Sequence, residues 1–175
     1  MTQDWKKLYY EGKILNELEG FRGDYAIFSN FAEHETISII LPYGDPNGVK
    51  YSANNVETLF QAAKMFNTWR IEEIVKINNG KIAQYVGRRY KMREDWEEIK
   101  ENVMKELLEK KFNTSNKFRQ TLLSVPDDKL IVEMNSWCDK EWGVCSRIFQ
   151  GKNKLGNLLM DLKKEKKGTV NVDNR

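Results

Sequence analysis

The spacing of apolar residues changes character near residue 54. Before it, "TISIILPYG" alternates apolar and polar positions and is rich in β-branched residues, then breaks at Pro42 and Gly44. "GDPNG" is dense in turn formers, and "VKYS" reads as the returning strand of a hairpin. Upstream, "KILNEL" is a candidate opening strand and "DYAIFSNF" is a short apolar run ending in Ser-Asn.

From Asn54 the period is helical. Val56, Leu59, Phe60 and Ala63 form one arc, with Asn54 or Asn55 as N-cap. "WRIEEIVKINNG" predicts a second helix stopped by Asn-Asn-Gly, and "KIAQYVGRR" a short third one ending at a glycine. In "EDWEEIKENVMKELLEKKF", Asp95 and Glu98 resemble a capping box. Trp96, Ile99, Val103, Leu107 and Phe112, with Lys100, Met104 and Leu108, follow the spacing of an amphipathic helix. "NKFRQTLLSV" predicts another short helix and "KLIVEM" a strand. A final helix turns Leu155, Leu158, Leu159 and Leu162 inward. The sequence shows no repeat and no break in composition. It therefore predicts one α+β domain over residues 1–167, mostly helical with a small sheet or hairpin in the N-terminal half. Residues 168–175 are expected as a flexible tail.

Composition narrows the chemistry. The net charge of +3, from 29 basic and 26 acidic residues, gives no footprint for nucleic acid. The run "KKEKKG" suits the C-terminal end of a helix. No apolar run approaches the ~20 residues of a membrane span, and the polar N-terminus does not read as a secretory signal. A cytoplasmic location is expected. His34 is the one histidine, in a polar turn, which disfavours Ser-His or Cys-His catalysis. Cys138 and Cys145 are the two cysteines, too few for a zinc site; no metal and no cofactor is implied. A disulfide is not expected in a reducing compartment.

Several stretches can carry chemistry. Glu57, Gln61 and Lys64 at i, i+4 and i+7 share a stripe bordering the apolar arc. The pattern alone suits a solvated face better than the lining of a cleft. Gly87 followed by Arg88 and Arg89 can grip phosphate, or can be a helix-ending glycine with surface arginines. Asp139, Trp142 and Gly143 precede "GKNKLG", where a loop enters a helix, and Lys152 and Lys154 add positive charge near N–H groups that favour anions. Asn153 suits an N-cap there.

Taken in order, "FSNF", "VExxxQAAK", "GR" with "DWxxxKxxVM", "DxxWG" and "GKNKLGxLLM" resemble the NADAR (YbiA-like) family over about residues 14–162. The resemblance implies a small α+β domain that hydrolyses N-glycosidic bonds. Family substrates are phosphorylated ribosylamino intermediates of riboflavin synthesis, or bases carrying ADP-ribose; for this chain the expected substrate is one of these or a free ADP-ribose-derived signal. Nucleic acid would then be a partner only when it carries an ADP-ribosylated base. The resemblance makes Glu57 and Asp139 the catalytic acids and Trp96 and Trp142 the aromatic positions. Asn30 matches the asparagine of "SNF", and Gly143 closes "DxxWG". Gln61, Lys64, Arg88, Lys152 and Asn153 match polar positions near phosphate or ribose. Thr58 stands where the family commonly has histidine.

Cleaving an N-glycosidic bond builds positive charge at the anomeric carbon, for which two carboxylates are the usual answer. The expectation is that Glu57 and Asp139 serve one pocket, without metal. The alternative is a non-catalytic ADP-ribose or NAD-type nucleotide-binding module, which would not need both acids.

Overall fold

The computed structural model describes residues 3–15 and 20–170. The expected hairpin is present. β1 (Ile37–Leu41) pairs antiparallel with β2 (Val49–Ala53), Ile37 opposite Ala53 and Leu41 opposite Val49. Alternation puts Ile37, Ile39 and Leu41 into the core.

The chain packs as two compact units, one of residues 30–118 and one joining residues 1–29 with 119–175. The first holds the hairpin, α2 (Val56–Ala63), α3 (Thr68–Ile77), α4 (Gly80–Gly87) and α5 (Trp96–Thr114). Its helices start where the sequence places asparagines. Asn55 accepts from the Thr58 N–H, Asn67 from Trp69 and Asn79 from Ile82, each satisfying a first-turn donor. α3 ends at Asn78 in the left-handed conformation, one of the few non-glycine residues that tolerate it. On α5, Trp96, Val103, Met104, Leu107, Leu108 and Phe112 are buried, together with Lys100 and Lys111.

The second unit has its own core of Trp5, Val132, Met134 and Val144, against which Leu8, Ile14, Leu130 and Phe149 pack. It contains α1 (Trp5–Tyr10), a 3₁₀ turn over Gly23–Phe28, the short parallel strands β3 (Met134–Asn135) and β4 (Val144–Cys145), and α7 (Lys154–Val170). α6 (Asn116–Ser124) begins in the first unit and ends in the second. Leu155, Leu159 and Leu162 of α7 are buried; Leu158 is half-buried. No helix among the described residues is long and apolar enough to cross a membrane.

The structure departs from the sequence reading at several places. The polar N-terminus forms a helix, because Asp4 caps it through the Lys7 N–H and Trp5 anchors it in the core with its indole N–H on the Gly151 carbonyl at 2.9 Å. "DYAIF" is a 3₁₀ turn that buries Ile27 and Phe28. "KLIVEM" contributes only Met134 to a strand, plus a bridge from Leu130 to Ile14; of "KILNEL", residues 16–18 lie outside the described residues. The capping box does not form. Asp95 is the N-cap by position, but its two oxygens are held by Arg93 at 2.6 and 2.8 Å, a bidentate pairing that displaces the backbone bond. Finally, Cys138 and Cys145 are joined in a disulfide. Asn135 sits opposite Cys145 across β3 and β4 while its amide group holds both the N–H and the carbonyl of Asp139, which brings residue 138 alongside Cys145. At the C-terminus α7 extends through Gly168–Val170, where a tail was expected; residues 171–175 are not described.

Candidate functional site

α2 is buried on every side, all eight residues of it. The stripe that suited a solvated face is therefore interior: Glu57 is 5% exposed and Gln61 2%. What closes over it is α4. A Cβ at Gly87 would collide with Gln61 Oε1, and one at Gly80 would lie 3.1 Å from Glu57 Cβ. These two glycines, with buried Ala83 between them, let α4 approach close enough for Gln84 to reach Glu57.

The Glu57 carboxyl group is held on one oxygen. Gln61 Nε2 donates to Oε1 at 2.6 Å and Gln84 Nε2 donates to the same oxygen at 3.2 Å. Oε2 receives no hydrogen bond from the described residues. The Glu57 N–H donates to the Asn30 carbonyl at 2.9 Å. Burial holds the carboxyl above the usual carboxylate range, opposed by the Gln61 amide, the Lys64 charge, the Gln84 amide and the Arg88 charge. Lys64, half-buried at the end of α2, is pushed down by the same burial and pulled back by Glu57. Its ammonium lies 5.6 Å from the Phe60 ring centre and 5.8 Å from that of Trp96. Asn30 Oδ1, Thr58 Oγ1 and Gln61 Oε1 are enclosed without a protein partner among the described residues. Three such atoms on α2 and on the residue whose carbonyl receives the Glu57 N–H are uncommon in a purely structural core.

The second group of candidates lies on residues 135–157. Asp139 Oδ1 accepts from the N–H groups of Glu141 and Trp142 at 2.9 and 3.0 Å, closing a tight turn. Its Oδ2 has no hydrogen bond among the described residues. The N–H groups of Lys152, Asn153, Lys154 and Leu155 donate to the carbonyls of Lys140, Gly143, Glu141 and Trp142. The start of α7 is thus already satisfied by the loop, and those donors do not offer an anion site. Lys152 and Lys154 both pair with Glu141, at 2.6 and 2.5 Å. Asn153 is fully buried with φ of 51°, and it does not cap α7 through its side chain. Its Oδ1 accepts from the Glu133 N–H at 3.0 Å and its Nδ2 donates to the Ile131 carbonyl at 2.9 Å. Gly143 is glycine because a Cβ would strike the Glu133 carbonyl oxygen.

The structure thus gathers Asn30, Glu57, Gln61, Lys64, Arg88 and Trp96 in the first unit, and Asp139, Trp142, Gly143, Lys152 and Asn153 in the second. Trp96 is 4% exposed and packs on Phe60 at 4.9 Å, so its ring forms the floor beneath Lys64 and offers no free wall. Trp142 is half-buried and Arg88 exposed. Sequence reasoning missed Gln84. The signal was there: Gly80, Ala83 and Gly87 form a small-residue stripe, and Gln84 and Arg88 are one turn apart on α4.

Comparison with known proteins is consistent with this picture. The model of the NADAR domain family matches residues 20–166. The chain is 34% identical over 144 residues to N-glycosidase YbiA of Escherichia coli (strain K12), covering 81% of this chain and 82% of that one. It is 34% identical over 158 residues to the chloroplastic Riboflavin biosynthesis protein PYRR of Zea mays, covering 83% of this chain and 24% of the maize protein. The NMR structure of E. coli YbiA superposes with a TM-score of 0.67 at 31% identity, over 87% of this chain and 88% of YbiA. With the motif order, the match along most of the chain and the shared α+β fold all in agreement, the protein belongs to the NADAR family.

Proposed function

We propose that this chain is an N-glycosidase that hydrolyses the bond between ribose and a nitrogen base in a phosphorylated riboside, with Glu57 as proton donor. The carrying observation is the Glu57 carboxyl: buried, held above the ordinary carboxylate range, fixed through Oε1 and open at Oε2. A carboxyl whose charged form is disfavoured by burial suits the general acid of a glycosidase. Glu57 gives its proton to the leaving nitrogen as the C1′–N bond breaks. Water adds to C1′ and yields a proton that restores the acid, leaving ribose with a hydroxyl and the base with N–H. The second carboxylate, to stabilise the cation or activate the water, is Asp139 on the strength of the motif resemblance. Lys64 and Arg88 supply positive charge for the substrate phosphate.

The names of the N-glycosidase relatives support the reaction class, and the maize relative, of which the chain covers 24%, is named for riboflavin biosynthesis, which fits a riboflavin-pathway ribosylamino intermediate as substrate; an ADP-ribose-type compound, either a base carrying ADP-ribose or an ADP-ribose-derived signal, is the second candidate. The test is incubation with a ribosylaminopyrimidine 5′-phosphate and with an ADP-ribosylated guanine oligonucleotide, followed by mass spectrometry of the released base. Turnover by the parent that is lost in both Glu57→Gln and Asp139→Asn is expected. Full turnover in Glu57→Gln overturns the assignment; binding of either compound without release makes the chain a binding module.

A further inference from the structure

We infer that Gln84 is a positioning residue for Glu57: its amide, together with that of Gln61, occupies Oε1 and leaves Oε2 as the oxygen that delivers the proton. This rests on the reading of Glu57 as proton donor. A carboxyl oxygen that already accepts two N–H bonds has its lone-pair directions filled and cannot also carry hydrogen without losing a donor. The proton of the neutral acid therefore sits on Oε2, the oxygen without a hydrogen bond from the described residues.

The two amides are not equivalent. Gln61 is one turn from Glu57 on the same helix, so that contact forms wherever α2 forms. Gln84 comes from α4, 27 residues away, and reaches Oε1 only because Gly80 and Gly87 admit α4 against α2. Two donors from two different helices fix the carboxyl against rotation, which one donor on a flexible side chain does not. The charged groups acting on Glu57 are Lys64 of α2 and Arg88 at the end of α4; Glu97 and Lys100 of α5 act in turn on Lys64. None of them is a hydrogen-bond donor to Oε1.

Gln84→Met tests the assignment by two readouts. The first is the titration of Glu57, followed by 13C NMR in protein labelled at the glutamate side-chain carboxyl carbon and assigned by the signal missing from Glu57→Gln. A lost donor disfavours the anion, so the midpoint is expected to rise, by about half a pH unit or more. The second is turnover of a ribosylaminopyrimidine 5′-phosphate. Here kcat is expected to fall about tenfold or more with KM within about threefold, as for a misplaced reacting group. Should Gln84→Met fail to fold, Gln84→Glu keeps the shape and carries the same expectation for the midpoint, since a second carboxyl also disfavours the anion. An unchanged midpoint, or a raised midpoint with parental kcat, overturns the role of Gln84. Where the parent does not turn over the probe, the midpoint alone decides. Full turnover in Glu57→Gln overturns instead the reading on which the inference rests, and the two failures are thereby distinguishable.

Discussion

Replacing Gly87 by alanine sets two effects of opposite sign against each other. In a helix, Gly→Ala is favourable by about 0.5–1 kcal/mol because glycine loses more backbone freedom on folding. At Gly87 the added Cβ would collide with Gln61 Oε1 and lie 3.2 and 3.3 Å from Gln61 Cβ and Cδ. The amide tip can swing away, but the same amide donates to the buried Glu57 Oε1 at 2.6 Å. Moving it gives up a bond to a charged or acidic group, about 1.5–3 kcal/mol, and overpacking adds about 1–3 kcal/mol where the neighbours cannot yield. Even with partial relaxation the penalties exceed the gain. The expected outcome is a net loss of about 1–3 kcal/mol and a Tm lower by about 3–8 °C for a chain of this size, with reduced turnover because Glu57 loses a donor. Gly168→Ala is the control, since nothing lies within 4 Å of its added Cβ on α7; it should be neutral or stabilising. Thermal unfolding followed by circular dichroism gives both numbers. A Gly87→Ala protein as stable and as active as its parent would refute the close packing of α4 on α2.

Asn153→Ala removes two side-chain bonds to buried backbone and places alanine at φ of 51°. The loss should reach about 2–5 kcal/mol, well above that of an ordinary cap, by urea denaturation. Burial brings Lys111 from the ordinary 10.5 to about 7, so the unfolded chain takes up the proton between those values and stability falls as pH drops through that window. Lys111→Met should therefore have the higher Tm at pH 7, by a margin that shrinks toward pH 10. In the same variant His34, held near 4 first by burial and then by the Lys111 charge, should titrate closer to 6.5 by NMR. His34 itself contributes stability above pH 6.5 that is lost as pH falls toward 4, because the unfolded chain binds the proton first. Lys152 is 65% exposed and shares Glu141 with Lys154, so Lys152→Ala should barely change Tm. With the phosphate on Lys64 and Arg88, Lys152→Ala should also leave KM and the preference for a phosphorylated riboside over its dephosphorylated form unchanged; a KM raised more than kcat is lowered would move the phosphate to Lys152.

Local chemistry is what the sequence by itself determined. The hairpin, the helices from Val56 onward and the Asn55 cap follow from period and from which side chains can satisfy a first-turn N–H, both readable within a few residues. The motif order, carried by Asn30, Glu57, Trp96, Asp139 and Trp142, was likewise legible. Tertiary structure decided wherever a polar group had more than one possible partner. Asp95 and Asn153 stood at helix starts and read as caps, yet Arg93 claims one and the backbone of Ile131 and Glu133 the other. The Glu57–Gln61–Lys64 stripe has the spacing of a solvated face, and only the approach of α4 across Gly80 and Gly87 makes it interior and gives Glu57 its second donor. A hydrogen-bonding group takes the partner that burial leaves it, and burial depends on segments far apart in the chain, which is why the helices could be read from the sequence and the surroundings of the carboxyl could not.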